Sequence, residues 1–569
     1  MEVVPTYAEP VEIRVLDGPN LYFPRPAVKL TLAIPGWLRA TTDGLLGRSR
    51  RAGMPGTMYP GERGSEQRRR FTARFAAHVA RSVASATGTR LAVRGRAGPE
   101  SDQIVVAFPW RRRGSAEALA REVAAIMNDL LATRRTLGRL AAEAAGRIQA
   151  VDPGEPPTVP EPAIPVIAIT GTNGKTTTVR LLAHIVRAAG RSVAYSSTDG
   201  VYHDGALVEP GDYSGFAGAE SALSQPGVDV AVLETARGGI LLRGIGTAYN
   251  DVAVVTNVSS DHLGLHGIHT LEQLAEVKAT ITRVTRPDGW DVLNADDPRV
   301  LAMRGHARGR PFVFTLDPHH PAIREVLSER GRAVTVLDRS IVLLERRNAV
   351  HRLIDLDDVP ITLAGISRHH VENALAATAA ALGIELPEDA IVRGLRSFVT
   401  SPDTNPGRAN LFTLADRIVV VDYAHNEAGM AGLTEILAGL RRRRAAVWLA
   451  FGTAGDRSDE ILHALGYRAA RGADHVIVAE LEHYLRGRDP EDLVDRLRAG
   501  AVDGGATEVP VMPDELRALE WMLERSVGHD VVAITALSQR SEVFGLLEDR
   551  GAVRAGPETV RTLVRAARR

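Results

Sequence analysis

Cysteine is missing from all 569 residues, which excludes disulfides, thiolate nucleophiles and cysteine-bound zinc. Net charge is missing too. The 69 lysines and arginines are balanced by 69 aspartates and glutamates, so no global field favours nucleic acid or an anionic membrane. No apolar run reaches the ~18 residues that a membrane-crossing helix needs. The opening Met1-Glu-Val-Val lacks the basic start and apolar core of a secretion signal. These absences lead us to expect a cytoplasmic enzyme with no nucleic-acid or membrane partner. Its length is enough for three or four domains with sizeable cores.

Lysine is the most informative scarcity. Only Lys29, Lys175 and Lys278 stand among the 69 basic residues. Where arginine has otherwise displaced lysine, a surviving ammonium marks a place that a guanidinium fork does not suit. Lys175 lies in Ile167-Ala-Ile-Thr-Gly-Thr-Asn-Gly-Lys-Thr176. The apolar run Val166 to Ile169 reads as a buried parallel strand. It breaks at Gly171-Thr-Asn-Gly174, and helical spacing begins at Lys175 with Val179, Leu181, Leu182, Ile185 and Val186. Strand, glycine loop and helix together aim free N–H groups and a helix N-terminus at phosphate. Position 169 is Ile, so the motif is the shorter G-T-N-G-K-T rather than G-x-x-x-x-G-K-[ST]. Lys175 is placed to reach the β/γ-phosphates and the Thr176 hydroxyl to hold Mg²⁺.

Strand candidates follow at Ser192–Ser197, Val228–Thr235, Val252–Val258 and Trp290–Asn294, alternating with helical stretches. That pattern predicts a parallel, doubly wound sheet with ligands at the carboxyl ends of its strands. Polar clusters fall at those ends. Glu234 closes an apolar strand, where a carboxylate suits Mg²⁺ beside a triphosphate, with a helix cap or ion pair as the lesser alternative. Asn257, Asp261, His262 and His266 crowd a second strand end, with His262 a metal-ligand candidate. Lys278 sits on the following helix. Beyond residue 400, strands at Ile418–Val421, Ala446–Phe451, His475–Ala479 and Val531–Thr535 define a second α/β unit.

These residues carry a resemblance to the Mur ligase superfamily, closest to the Mur-like half of the cyanophycin synthetases. Leu233-Glu-Thr-Ala-Arg-Gly-Gly-Ile240 is similar to a string of that branch. The resemblance implies a central ATP-binding domain with a P-loop and a parallel sheet, then a Rossmann-like α/β domain. It implies ATP held by Gly171, Thr172, Asn173, Gly174, Lys175, Thr176 and Thr177, with adenine at Asn373, ribose at Asp422, and Arg408 and His425 on the phosphate side. Mg²⁺, as two ions, falls to Thr176, Glu234, His262 and Lys278, the last of these carbamylated. Lys175, His262, Lys278 and Arg408 are the implied catalytic set. Thr198-Asp199-Gly200 and Gly211-Asp212 lie on loops facing the acyl substrate. The chain departs from the family pattern at His370, where His369-His-Val-Glu-Asn373 replaces His-Asn-x-x-Asn, and at Glu427, where proline is usual.

The implied activity is ATP-dependent amide formation between an amino acid and a carboxylate of a peptide or small acid. Two readings stay open beside it. One is a catalytically silent nucleotide-binding scaffold, and the other is a ligase of the same superfamily with a folate or cell-wall acceptor. Residues 1–150 read as a small α+β domain similar to the cyanophycin synthetase N-terminal domain. Their arginine clusters 48–51, 68–70 and 111–113 are expected to be solvated faces. The Pro-rich stretch 151–163 reads as a linker, followed by domains at 164–400 and 401–569. The cyanophycin synthetases place an ATP-grasp domain where this linker stands, so a separate ATP-grasp ligase is an expected partner. Self-association into a homo-oligomer is also expected.

Overall fold

The computed structural model describes residues 7–54, 58–260, 263–346 and 349–569. His262, singled out above as a metal ligand, lies outside the described residues, as does Asp261.

The first sheet is antiparallel, in the order β1-β2-β4-β3 (Glu9–Leu16, Ala27–Ala33, Gln103–Pro109, Arg94–Ala97). Helices Glu66–Ala86, Arg113–Ala132 and Leu137–Gln149 cover one face, around Trp37, Phe71, Phe75 and Phe108. The run Ile104 to Phe108 is apolar at every position because both faces of β4 are buried. Ile104, Val106 and Phe108 face these helices, while Val105 and Ala107 join Leu16, Leu21, Ile240, Ile245, Val255 and Val277 in a core shared with the next sheet.

That second sheet has eleven strands. In chain order they are β5 (Val166–Thr170), β6 (Val193–Ser197), β7 (Gly200–His203), β8 (Ala206–Pro210), β9 (Val230–Glu234), β10 (Asn250–Val255), β11 (Thr285–Asn294), β12 (Arg310–Thr315), β13 (Arg332–Leu337), β14 (Ser340–Glu345) and β15 (Ala349–Asp355). The spatial order is β15-β14-β13-β12-β11-β10-β5-β9-β6-β7-β8. The strands from β13 to β6 are parallel, and antiparallel hairpins finish both edges. The chain leaves β5, crosses β9 to reach β6, and later returns to β10 on the other side. That reversal opens a crevice at the carboxyl end of β5, the usual ligand position in such sheets.

The third sheet has the order β20-β19-β18-β21-β17-β16-β22, from β16 (Asn410–Leu414), β17 (Arg417–Asp422), β18 (Val447–Phe451), β19 (His475–Ala479), β20 (Val511–Met512), β21 (Val531–Thr535) and β22 (Val553–Arg554). Its central strands are parallel, with β16 and β22 antiparallel at the edge. Helix Glu427–Leu440 leans on the central unit at two glycines. A Cβ at Gly432 would lie 2.6 Å from His369 Nδ1, and one at Gly439 would lie 3.0 Å from Ile366 Cβ.

One expectation changes in the structure. Arg68 does not belong to a solvated face. It is fully buried, and its guanidinium donates to the carbonyls of Ala40, Pro60 and Gly61 and to the Thr42 hydroxyl, tying down the loop before helix Glu66–Ala86. The Pro-rich stretch is strapped along its length. Gly114 N–H donates to Pro153, Arg113 N–H to Glu155, Ala248 N–H to Pro160, and the Tyr249 hydroxyl to Pro162.

Candidate active site

Strand β5 is buried throughout and ends where Gly171 turns the chain. Only glycine fits there, because a Cβ would stand 1.8 Å from Thr256 Oγ1 at a φ of +155°. Gly174 caps helix Lys175–Ala188 in the left-handed region, and its Cβ would lie 2.2 Å from Asn373 Oδ1. The loop between them is held by the end of β10. Asn257 accepts from Asn173 N–H at 2.9 Å through its side chain and from Thr172 N–H at 2.9 Å through its carbonyl. Thr256 Oγ1 donates to the Asn173 carbonyl at 2.6 Å. The loop is therefore rigid, as a phosphate cradle of backbone donors requires.

Glu234 ends β9 beside this loop and is 1% exposed. Its Oε2 accepts from the Thr176 hydroxyl at 2.8 Å, and that hydroxyl also meets Thr198 Oγ1 at 3.0 Å. Its Oε1 has no hydrogen-bond partner among the described residues. Burial pushes the carboxyl above the ordinary range, against Lys175, the Thr176 hydroxyl, Arg408 and the Thr198 N–H. A buried carboxylate with one oxygen unsatisfied, next to a threonine hydroxyl, offers the hard oxygen donors that Mg²⁺ takes. Among the described residues no group of three or more His, Asp or Glu forms a metal cluster. A cation here would therefore be completed by phosphate, water and substrate oxygens. Lys175 Nζ donates to the Thr172 carbonyl at 2.9 Å, and Lys278 Nζ to the Gly171 carbonyl at 2.6 Å. Both remaining lysines of this region thus converge on one loop.

A cleft of about 670 Å³ opens over the loop, between the central and C-terminal sheets. The structure brings Gly171 to Thr177, Glu234, Lys278, Asn373, Arg408, Asp422 and His425 to its walls. Arg408 lies over the Tyr423 ring at 4.1 Å. Burial weakens its hold on its proton, opposed by Asp199, Tyr423 and Asp422. Asp422 is committed to the backbone, accepting from Ala409 N–H and Ala424 N–H at 2.8 Å each, so it shapes the turn as well as lining the cleft. His425 Nδ1 meets the Tyr423 carbonyl at 2.8 Å. His370 is engaged with the Ile361 carbonyl at 3.0 Å, and burial holds its imidazole well below the ordinary range, in the neutral form. Glu427 opens helix Glu427–Leu440 and pairs with Arg468 at 3.1 Å, so the residue that replaces proline suits a first helical turn.

Sequence reasoning missed the links across the cleft. Asn426 pairs with Asn173 of the phosphate loop. Asp199 bridges Arg180, at 3.0 Å, and Arg540 of the C-terminal unit, at 3.1 Å. The motif Asp422-Tyr-Ala-His-Asn426 was a usable signal for the first link. Nothing local signals the second.

Residues 169–381 match the model of the Mur ligase middle domain, and residues 407–536 match that of the Mur ligase glutamate ligase domain. The chain carries both of these Mur ligase domains. It is 41% identical over 373 residues to a cyanophycin synthetase of Crocosphaera subtropica, covering 65% of this chain and 42% of that one. A second cyanophycin synthetase, from Synechocystis, is 41% identical over 365 residues, with 64% and 41% covered. The chain thus matches less than half the length of these relatives. A UDP-N-acetylmuramoyl-L-alanyl-D-glutamate–2,6-diaminopimelate ligase of Alkalilimnicola ehrlichii is 29% identical, over 66% of this chain and 72% of that one. Among solved structures, a bifunctional folylpolyglutamate synthase/dihydrofolate synthase superposes with a TM-score of 0.50 at 19% identity, over 68% of this chain and 90% of that one, a likeness of fold. No helix among the described residues is long and apolar enough to cross a membrane.

Proposed function

We propose that the chain is an ATP-dependent carboxylate–amine ligase that joins an amino acid to a carboxylate of a peptide or small acid, releasing ADP and phosphate. One observation carries this reading. The phosphate loop, the buried Glu234 with its unsatisfied oxygen, and the two lysines on one wall face Arg408 across a single cleft.

In this reading the N–H groups of residues 174–176 and the Lys175 ammonium hold the β- and γ-phosphates, with the N–H groups of Thr172 and Asn173 kept by Asn257 to fix the loop, Asn373 meets the adenine, and Asp422 and His425 border the nucleotide from the C-terminal side. Glu234 and Thr176 would hold Mg²⁺, with Lys278, carbamylated, and His262 at a second ion. Bound Mg²⁺ would neutralise phosphate and carboxylate charge. Thr198, Asp212 and the start of helix Arg237–Leu242 line the part of the cleft left for the acceptor. A carboxylate oxygen held there attacks the γ-phosphorus, the bond to ADP breaks, and Lys175 and Arg408 stabilise the charge in transit. The amine of the incoming amino acid then attacks the acyl carbon and loses a proton, and phosphate departs as the leaving group. Closure of the C-terminal unit keeps water from the acyl phosphate. The reaction draws on cytoplasmic ATP, and a separate ATP-grasp ligase would supply the acceptor.

The test is coupled ADP release with ATP, Mg²⁺ and bicarbonate, aspartate-containing peptides crossed against the twenty amino acids, and a Lys278→Arg control. Turnover that requires both an acceptor and one amino acid, and that falls by about 10²-fold in the control, is the expected outcome. ATP binding without turnover for any pair, including UDP-linked and pterin acceptors, would leave a nucleotide-binding scaffold in its place.

A further inference from the structure

The segment that joins the central and C-terminal units is gripped from both sides by arginines that the reaction above leaves unused. Helix Glu388–Ser397 ends the central unit and β16 begins the next, and between them the chain makes a tight turn that carries Arg408. Gly407 N–H donates to Asn410 Oδ1 at 2.6 Å, and Ala409 N–H is held by Asp422 at 2.8 Å. Gly407 sits in the left-handed region at a φ of +67°, and a Cβ there would lie 2.9 Å from Arg540 Cδ. Arg540 Nη1 donates to the Pro406 carbonyl at 3.3 Å, and Arg180 Nη1, from helix Lys175–Ala188, donates to the Thr404 carbonyl at 3.0 Å. The other arm of each guanidinium meets Asp199, Arg180 at 3.0 Å through Oδ2 and Arg540 at 3.1 Å through Oδ1. Thr198 lines the reaction cleft, whereas the carboxylate of the next residue is spent on these two arms.

Arg540 is itself aimed by a buried anion. Glu515, fully buried at the start of helix Glu515–Arg525, accepts from Leu537 N–H at 2.6 Å, from Ser538 N–H at 3.0 Å and from Gln539 N–H at 2.7 Å. Those three donors lead directly into helix Arg540–Asp549, and Leu537 reaches the wall of the reaction cleft. Arg408 has less to direct it. Among the described residues its guanidinium makes one hydrogen bond, to the Gly407 carbonyl at 3.4 Å, lies over the Tyr423 ring and forms no ion pair. An arginine so loosely held at its tip takes its direction from the backbone that carries it, and that backbone is the turn on which Arg540 presses. Fixed charge in the right place lowers a barrier, and a displacement of ~1 Å at such a group can cost ~10²-fold in rate.

We propose that Arg540 is a positioning residue that acts through Arg408: by bracing the turn 405–408 against Asp199, it fixes where the Arg408 guanidinium meets the γ-phosphate. The inference rests on the ligase reading of the cleft, in which Arg408 stabilises the phosphate in transit. The planar fork matters, since one arm takes the Pro406 carbonyl and the other the carboxylate. A lysine would keep the charge beside Asp199 but present a single flexible ammonium. A fastening role alone would lower stability and activity whether or not Arg408 is present. A positioning role has its effect only while Arg408 is there to be positioned.

The test is a double-mutant cycle on the full chain, with Arg540→Gln, Arg408→Gln, both together, and Arg540→Lys beside them. Two readouts are taken. One is the ADP-release assay above. The other is the calorimetric affinity for the Mg²⁺ complex of the non-hydrolysable β,γ-imido analogue of ATP relative to that of ADP, which reports the γ-phosphate contact without turnover. We expect Arg540→Gln to lower kcat by about tenfold with KM for the amino acid within about twofold, and to lower the analogue-to-ADP preference by about threefold. In the Arg408→Gln background the same substitution should change either quantity by less than about twofold. Arg540→Lys should melt with the wild type and still lose about threefold in kcat, and it takes the place of Arg540→Gln in the cycle if that variant does not fold. Equal losses with and without Arg408, or none, overturn the positioning role. A coupled loss of the analogue preference in a chain that turns over no acceptor pair keeps the positioning role and removes the ligase reading, whereas turnover with additive losses does the reverse.

Discussion

Asn426 and Asn173 exchange hydrogen bonds across the cleft. Asn426 Nδ2 donates to Asn173 Oδ1 at 3.0 Å, and Asn173 Nδ2 donates to Asn426 Oδ1 at 3.3 Å. The same Asn426 oxygen caps helix Glu427–Leu440 by accepting from Gly429 N–H at 2.8 Å. One side chain therefore starts a C-terminal helix and grips the phosphate loop of the central unit. Asn426→Asp keeps the cap but removes the donor to Asn173, while Asn426→Ala removes both. We expect the aspartate variant to keep wild-type stability and lose about tenfold in kcat/KM for ATP, since one hydrogen bond of ~1 kcal/mol and the closed geometry go together. The alanine variant should lose a further ~1 kcal/mol of stability through the cap. Thermal melts beside ATP kinetics separate the two, and equal kinetics in both variants and wild type would show that the pair does not contribute to closure.

Glu234 should trade stability for activity. Its folded carboxyl lies above the ordinary range because of burial. As pH rises, the unfolded chain loses this proton first, so the group's contribution falls from the unfolded pKa upward, through the folded one. Glu234→Gln removes an ionisable group from that site and should raise the melting temperature by about 2 °C or more near neutral pH. The gain should vanish below the ordinary carboxylate range, where both forms are neutral. Turnover should fall by about 10²-fold or more, and Mg²⁺ with ATP should shift the wild-type melt more than that of the variant. Melting curves of both proteins from acid to neutral pH test the sign directly.

The contrast between these two sites shows what the chain displays and what it conceals. The phosphate loop is legible because strand, glycines, lysine and helix are contiguous, and each glycine answers a local steric demand at Thr256 or Asn373. Glu234 is legible because an apolar strand that ends in a carboxylate is anomalous. The Asn173–Asn426 pair spans 253 positions, and no periodicity reports such a contact. Arg68 misled for a related reason. A triple arginine reads as solvated, yet one of the three turns inward to satisfy carbonyls of a loop that has no sheet to pair with. The shared core of the first two sheets was hidden as well, since a Pro-rich stretch looks alike whether it hangs free or is strapped down.

Asp199 makes a case for charge as the fastening between units. Burial opposes its ionisation, but Arg408, Arg540 and Arg180 outweigh that and hold the carboxyl below the ordinary range. A group with a depressed folded pKa contributes stability above its unfolded value and loses it as pH falls through the folded one. Asp199→Asn leaves the mostly buried Arg180 short of its partner, so a loss of about 3 kcal/mol is expected at neutral pH. The deficit should shrink as the medium is acidified below the ordinary aspartate range. Urea midpoints of wild type and variant, taken across that range, measure it; a deficit independent of pH would assign the loss to packing.

Residues 1–150 should prove inseparable from the rest. Leu16, Leu21, Val105 and Ala107 close over Ile240, Ile245, Val255 and Val277, and a Cβ at Gly18 would lie 1.8 Å from the Ile245 carbonyl oxygen. Gly18 N–H donates to Arg243 and Ile245 N–H to Pro19, so the turn is stitched to the central unit from both sides. Removing these residues would expose a contiguous apolar face directly behind helix Leu271–Lys278, the helix that carries Lys278 to the phosphate loop. A chain beginning at residue 151 is therefore expected to aggregate or to melt well below the full chain. Gly18→Val in the full chain, which forces the turn off Ile245, should lower stability by about 2 kcal/mol or more and reduce ATP turnover with it. A truncated chain that stays monodisperse with an unchanged melt would show instead that the two sheets touch without depending on each other.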